Sequence, residues 1–170
     1  MTWTTMGAAA LATAIALSPA KAQDGHSQPA GGPYAPRLGD LMILQQIRHA
    51  KLWFAVAANN WLLADHELAG LKDGFDDLAT LYSTVHDVTV APVIEAISNR
   101  ELADLGKAIG AQDRVKFVSA FDQLTSACNA CHQATQHGFI VIQQPISPPF
   151  NNQSFVPGGQ SAPTAAPHPH

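Results

Sequence analysis

The chain has 170 residues, of which 46% are hydrophobic and 13% are charged, a composition typical of one globular domain. Its formal net charge at pH 7 is -4, and its Lys and Arg residues form no cluster. Because a nucleic-acid binder needs a basic face to neutralise phosphates, this charge pattern argues against nucleic acid as a partner.

The first 22 residues have the pattern of an export signal. An apolar run, GAAALATAIAL, extends from Gly7 to Leu17 and is too short for a transmembrane helix, which needs roughly 20 residues. Ala20-Lys21-Ala22 then supplies the small-x-small pattern that a signal peptidase recognises. A buried core helix and a retained membrane anchor are the alternatives. We predict a signal peptide over residues 1–22, a linker over residues 23–36, a periplasmic location and no stable membrane span after cleavage.

Residues 37–137 are predicted to form a helical domain. This region contains one proline, Pro92, and its apolar residues have helical spacing. The first helix is apolar on more than one face and should be buried on more than one side. Asn59 and Asn60 interrupt it, and because Asn is a favoured N-cap, a second helix should begin at about Trp61.

Two further helical stretches complete the predicted domain. The stretch APVIEAISNRELADLGKAIGA is expected to be interrupted near Ser98 and Asn99. Asp113 can cap the last helix, and Gly138 is expected to cap its end. Short connections make consecutive helices antiparallel neighbours. Since no alternating strand pattern occurs outside the brief FIVI, we predict an all-α fold, an antiparallel four-helix bundle.

The C-terminal part has a different composition. Between Gly138 and His170 there is no Asp, Glu, Lys or Arg, and the segment holds seven prolines. Residues 157–170 offer little to bury, so we predict a disordered tail. Residues 138–156 are richer in large apolar side chains and are expected to pack on the domain as an extended strap. Those side chains are Phe139, Ile140, Val141, Ile142, Ile146, Phe150 and Phe155.

The chain's only two cysteines lie in the motif CNACH, from Cys128 to His132. Cys-x-x-Cys-His is the signature of covalent c-type haem attachment, in which two thiols add to the haem vinyl groups and the histidine ligates iron. On a helix, positions i, i+3 and i+4 share a face, so Cys128, Cys131 and His132 would point at one planar ligand. The motif therefore predicts one covalently attached haem c.

Three other interpretations of the motif carry less weight. A redox-active Cys-x-x-Cys of the thioredoxin type lies in a βαβ context that this sequence lacks. A zinc site would require a fourth ligand and usually a second cysteine pair. A chance occurrence would have to account for both cysteines falling at this spacing, before a histidine, in an exported chain.

A helical domain with CNACH on its last helix resembles the class II c-type cytochromes, which comprise cytochrome c prime and its low-spin relatives. The resemblance covers residues 37–137 and implies a four-helix bundle with one haem near the C-terminus. Class I cytochromes c carry the motif near the N-terminus and supply a methionine downstream, whereas no methionine follows His132 here.

The sixth iron ligand decides between a carrier and a gas-binding protein, because an occupied site favours electron transfer and an open site admits a gas. Once the signal is removed, Met42 is the only methionine left, and it resembles the axial methionine of low-spin class II members. It can equally be a core side chain. His49 faces nearly the same way about 10 Å further along the helix and is the alternative ligand. Arg48 is expected to contact a haem propionate.

Taken together, these features predict an exported mono-haem c-type cytochrome that transfers single electrons. A gas-binding or sensing haem protein of the cytochrome c prime kind is the first alternative, and a haem accessory protein without independent activity is the second. We find no catalytic constellation and expect no enzyme. The expected partners are the haem and an unidentified redox protein, and a homodimer is compatible with the sequence.

Overall fold

The computed structural model describes residues 35–158, and this part of the chain is mostly helical, as predicted. The predicted signal peptide (1–22), residues 23–34 of the predicted linker and residues 159–170 of the predicted tail lie outside the described residues. The described elements are α1 (Leu38–Ala57), α2 (Trp61–Leu81), β1 (Thr84–Val85), β2 (Val88–Thr89), α3 (Ala91–Ile97), a π-helical turn (Ser98–Leu102), α4 (Ala103–Gly110) and α5 (Arg114–Ala134).

Side-chain caps begin two helices where the sequence predicts them. At the start of α2, Oδ1 of Asn60 accepts a hydrogen bond of 3.1 Å from the backbone N–H of Leu63. At the start of α5, Oδ1 of Asp113 accepts one of 3.0 Å from the backbone N–H of Lys116. Each acceptor satisfies one of the N–H groups that a helix leaves free in its first turn.

Three helices end next to a residue in the left-handed conformation. These residues are Asn59 after α1 (φ 57°), Gln112 after α4 (φ 52°) and Gln136 after α5 (φ 62°). The prediction that Gly138 caps α5 is wrong, because the chain already leaves the helix at Gln136. A glutamine there is held in a conformation that glycine adopts more readily.

The interruption predicted near Ser98 and Asn99 is the π-helical turn. The buried residues Ile97 and Leu102 are five positions apart, one more than an α-helix allows for residues on one face. A π turn contains the extra residue that this spacing needs. It therefore returns Leu102 to the buried face on which Ile97 lies.

A short hairpin between α2 and α3 was not predicted. Its strands β1 and β2 are antiparallel, with Val85 opposite Val88. His86 and Asp87 form the turn with positive φ angles of 44° and 63°, as a two-residue hairpin turn requires. The strands are too short to show an alternating pattern in the sequence. Residues 139–142, the FIVI stretch, form no strand.

One hydrophobic core joins the helices. α1 packs along α2, α2 contacts α3 and α4, and α5 contacts α4 and the π-helical turn. α1 and α5 meet through aromatic rings, since the centroid of Trp53 lies 6.2 Å from that of Phe117 and 5.0 Å from that of Phe121. The largest fully buried side chains come from α1, α2, α4 and α5: Leu52, Val56, Leu71, Leu105, Phe117, Phe121 and Leu124.

The C-terminal segment, residues 138–156, forms no helix or strand and is held at three points, the first of which is the carbonyl of Ile140, 2.8 Å from Nδ1 of His132. The side chain of Asn129 accepts from the backbone N–H of Ile142 and donates to its carbonyl, both at 2.8 Å. Further along, Nδ2 of Asn60 donates to the carbonyl of Phe155 (3.0 Å), whose ring centroid lies 5.7 Å from that of Phe54.

The expectation that the apolar side chains of this segment pack on the domain is wrong for most of them. Ile142 and Phe155 are half-buried, but the side chain of Ile146 is 92% exposed. The others are also exposed: Phe139, Ile140, Val141 and Phe150. Hydrogen bonds from the side chains of His132, Asn129 and Asn60 to the backbone of the segment, rather than a continuous apolar contact, hold it.

Within residues 35–158, no helix combines the length and the apolar character that crossing a lipid bilayer requires.

Replacing Asn60 by alanine should destabilise the domain, because the change removes both the N-cap of α2 and the bond to Phe155. We expect the free energy of unfolding to fall by about 1–3 kcal/mol, measured by urea denaturation. Asn60→Ser is the control, since serine also caps a helix but is too short to reach Phe155, and it should recover about half of the loss. Unchanged stability in Asn60→Ala would contradict both roles.

Candidate cofactor site

The last turns of α5 carry the three residues of the sequence motif. Because α5 stays helical to Ala134, Cys128, Cys131 and His132 occupy positions i, i+3 and i+4 and share a face. Both cysteines are half-buried free thiols, and His132 is buried. The structure therefore presents the two thiols and the imidazole on one side of one helix.

Two neighbouring cavities have both Cys128 and His132 in their walls. The larger, about 310 Å³, is lined by Gly39, Met42, Ile43, Gln45, Gln46, His49, Leu71, Phe75, Leu124, Cys128, His132, Ile140 and Ile142. The smaller, about 70 Å³, is also lined by Met42, Cys128 and His132, and there Cys131 joins them. Among the described residues that line either cavity there is no Lys, Arg, Asp or Glu. The site is thus apolar apart from histidine, amide, hydroxyl and sulfur groups.

His132 is held in one tautomer by the chain that follows α5. Its Nδ1 lies 2.8 Å from the carbonyl oxygen of Ile140. A carbonyl can only accept, so Nδ1 carries the hydrogen and, in the neutral ring, Nε2 carries the lone pair. Within residues 35–158, the hydrogen bond of the His132 ring is made through Nδ1 and not through Nε2. This is the arrangement that proteins use to orient a metal-binding histidine.

The two thiols are protonated at neutral pH. Burial, together with the neighbouring Cys131, raises the pKa of Cys128 from 9.0 to about 12. Burial also raises the pKa of Cys131. A redox-active Cys-x-x-Cys needs a lowered thiol pKa, so these shifts disfavour a thiol–disulfide exchange centre.

Met42 lies where the sequence places a candidate sixth ligand. It is half-buried and lines both cavities, together with His132 and Cys128. Its thioether is flexible and polarizable, which suits it to an irregular cavity wall.

His49 lines the larger cavity, and its Nε2 is hydrogen-bonded to the side chain of Thr125. Thr125 donates its hydroxyl hydrogen to the carbonyl of Phe121 (2.9 Å), so Nε2 of His49 must donate to Thr125 Oγ1, also at 2.9 Å. The ring rests on Phe121 with 4.2 Å between centroids. Burial lowers the pKa of His49 from 6.5 to about 4, so the ring is neutral at pH 7.

Arg48 is not brought together with the other predicted site residues. Its side chain turns towards α2, where Nη1 donates to the carbonyl of Gly70. It is absent from the described residues that line either cavity. The polar residues of α1 that line the larger cavity are Gln45, Gln46 and His49 instead.

Gln45 was missed as a site residue. It is 5% exposed, lines the larger cavity, and neither its amide nitrogen nor its amide oxygen has a hydrogen-bond partner among residues 35–158. The signal in the sequence was its spacing, three residues after Met42 and four before His49, which places all three on one face of α1. Asn129, which holds Ile142, was missed as well.

Within residues 35–158, no three His, Cys, Asp or Glu side chains come together in a group that could hold a metal ion. Comparison of the chain with protein-family models, curated proteins and solved structures found no match.

The burial of His49 predicts a pH-dependent loss of stability. Its pKa is about 4 in the folded chain and 6.5 in an ordinary environment, so between these values the unfolded chain binds a proton that the folded chain does not. The free energy of unfolding should therefore fall as the pH falls from 6.5 to 4, by on the order of 3 kcal/mol from this group.

Urea denaturation between pH 7 and pH 4 tests this expectation. His49→Phe keeps a ring on Phe121 and should lose this share of the pH dependence. His66→Gln, at an exposed position on α2, should keep it. The same pH dependence in His49→Phe and in the parent chain would contradict the assignment.

Proposed function

We propose that this chain is an exported mono-haem c-type cytochrome that transfers one electron at a time. The observation that carries the proposal is that Cys128, Cys131 and His132 line one apolar cavity and that the hydrogen bond of Nδ1 to Ile140 leaves the lone pair of the neutral His132 ring on Nε2. A haem supplies, when bound, an iron that takes up and releases single electrons. The proposed location is the periplasm, and the proposed partner is another redox protein.

The chain's own residues fit a haem by their chemistry. Cys128 and Cys131 would hold it through two thioether bonds, each formed when sulfur bonds to one vinyl carbon and the thiol hydrogen goes to the other. His132 would be the proximal ligand through Nε2, because Nδ1 is committed to Ile140. The apolar lining from α1, α2 and α5 would exclude water from the macrocycle.

A four-helix bundle of the class II kind is the architecture we propose for this domain. α1 contacts α2, α2 contacts α3 and α4, and α4 contacts α5. The aromatic contact of Trp53 with Phe117 and Phe121 joins α5 back to α1. With α3, the π-helical turn and α4 taken as one stretch, four helical stretches enclose one core, and these contacts support a closed bundle.

Met42 is the sixth ligand we propose. It lines both cavities with His132, and its thioether has no competing hydrogen bond to give up. His49, in contrast, would have to release Thr125 before its Nε2 could bind a metal. A thioether ligand stabilises reduced iron and occupies the position that a gas would need, which favours the carrier role.

The second candidate function is the binding or sensing of a small gas. The specific observation that favours it is the buried, unpartnered amide of Gln45 in the same cavity, since a polar donor beside an open iron can hold a diatomic ligand. The two candidates differ in whether Met42 is bound to the iron.

Removing both thiols tests the attachment. Cys128→Ala combined with Cys131→Ala should yield a chain from which denaturing acid extraction removes all haem, because no thioether bond can form. Cys131→Ala alone is the control and should retain haem through Cys128. Haem that survives extraction in the double variant would refute covalent attachment at this motif.

Replacing Met42 by alanine tests the carrier role. If Met42 is the sixth ligand, the native reduced protein should not bind carbon monoxide, and its oxidised form should show a weak sulfur-to-iron charge-transfer band in the far red. Met42→Ala should lose this band, become high-spin and bind carbon monoxide, as followed by absorption spectroscopy.

The matched control is His49→Phe, which should leave the spectrum nearly unchanged. Ready binding of carbon monoxide by the native protein would contradict the electron-carrier function and support the gas-binding function. A site that opens only in His49→Phe would show that the ligand is His49.

A further inference from the structure

Gln45 is a buried polar group that the protein itself does not satisfy. Its side chain is 5% exposed, and both amide atoms lack a hydrogen-bond partner among residues 35–158. Leaving a buried polar group unpaired destabilises the folded chain. Buried polar groups in native proteins are nearly always paired, so the unpaired amide of this cavity-lining residue calls for a partner that the protein does not supply.

The helix opposite Gln45 leaves space for this amide. A Cβ at Gly74 of α2 would collide with Nε2 and Cδ of Gln45. One turn earlier, a Cβ at Gly70 would meet the guanidinium of Arg48 instead. Gly74 therefore fixes where the amide of Gln45 lies, and Gly70 does the same for Arg48.

The surroundings of Gln45 limit the hydrogen-bond partners that its amide can have. Leu71, Phe75 and Leu124 line the same cavity and offer no acceptor; His49 donates through Nε2 to Thr125 and keeps an acceptor at Nδ1, but no hydrogen bond joins His49 to Gln45 in the structure. Met42 lies three residues before Gln45, which makes the two side chains neighbours on α1. The cavity contains no charged side chain among the described residues, and a hydrogen bond in so apolar a site is strengthened.

On the basis of the proposed function, we infer that the amide of Gln45 donates a hydrogen bond to the atom that ligates the iron opposite His132. That atom is the thioether sulfur of Met42 in a carrier and an atom of an external diatomic molecule in a gas-binding protein. Gln45 is thus a positioning residue. In a carrier it would shift the reduction potential of the haem, and in a gas-binding protein it would polarise the bond of the diatomic ligand.

The sign of the effect follows from electrostatics. An amide N–H directed at the sixth position presents its positive end to the metal, and the ferric state carries one more positive charge than the ferrous state. The donor therefore disfavours the ferric state and raises the reduction potential. Removing the donor should lower the potential.

Gln45→Leu removes the donor while keeping an apolar side chain of similar volume. In the haem-loaded protein, potentiometric titration should show the reduction equilibrium constant about tenfold lower, which is about 59 mV for one electron. Gln123→Leu, the same change at an exposed site on α5, should leave the potential unchanged. If the native protein binds carbon monoxide, the C–O stretching frequency should rise in Gln45→Leu and stay constant in Gln123→Leu.

A second test displaces the amide of Gln45 without removing it, by adding a methyl group to the helix that faces it. Gly74→Ala should displace Gln45 and lower the potential in the same direction as Gln45→Leu, or raise the C–O frequency if the gas binds. Gly70→Ala introduces the same methyl group one turn away, against Arg48, and should change neither quantity. This pair keeps the test decisive if Gln45→Leu does not fold.

The outcomes distinguish a failure of the role of Gln45 from a failure of the proposed function. A potential that falls in both Gln45→Leu and Gly74→Ala, in a native protein that excludes carbon monoxide, supports a bond to Met42. A C–O frequency that rises in both supports a bond to an external ligand. Unchanged values in both variants of a haem-loaded protein would overturn the role of Gln45 alone, whereas a native chain without covalent haem would overturn the proposed function and this role with it.

Discussion

The hydrogen bond between Nδ1 of His132 and the carbonyl of Ile140 is the interaction on which the site depends. It commits Nδ1 and leaves Nε2 as the lone-pair nitrogen in the cavity. It forms because α5 ends at Ala134 and the left-handed backbone of Gln136 turns the chain back along the helix. The side chain of Asn129 then forms hydrogen bonds with both the backbone N–H and the carbonyl of Ile142. The C-terminal segment therefore orients the ring of His132 through its backbone, and its exposed apolar side chains take no part in that contact.

The two buried histidines differ in which nitrogen the protein occupies. His132 is bonded through Nδ1 to Ile140, whereas His49 is bonded through Nε2 to Thr125. Both rings line the same cavity, and the partner of one nitrogen decides which nitrogen of each neutral ring keeps the lone pair: Nε2 in His132 and Nδ1 in His49. The bond of His49 connects α1 to α5, whereas the bond of His132 connects α5 to the C-terminal segment.

α1 and α2 approach each other at glycines, and this sets the polar lining of the cavity. Gly70 and Gly74 lie one turn apart on α2 and receive the polar ends of Arg48 and Gln45. Arg48 bonds to a backbone carbonyl in that interface, whereas Gln45 remains unpaired next to the cavity. The cost of an unpaired amide is tolerated in natural proteins chiefly where a group serves a ligand.

Local spacing in the sequence determined the helices, the caps at Asn60 and Asp113, the interruption near Ser98 and the placement of Cys128, Cys131 and His132 on one helical face. Each of these depends on contacts within a few residues, so periodicity and capping preferences suffice to predict it. Only the tertiary structure decided that Gln45 rather than Arg48 lines the cavity, that Asn129 holds the C-terminal segment and that most of that segment's apolar side chains stay exposed. A helix that is apolar on several faces does not reveal which residue meets which neighbour, because that choice depends on distant positions such as Gly74.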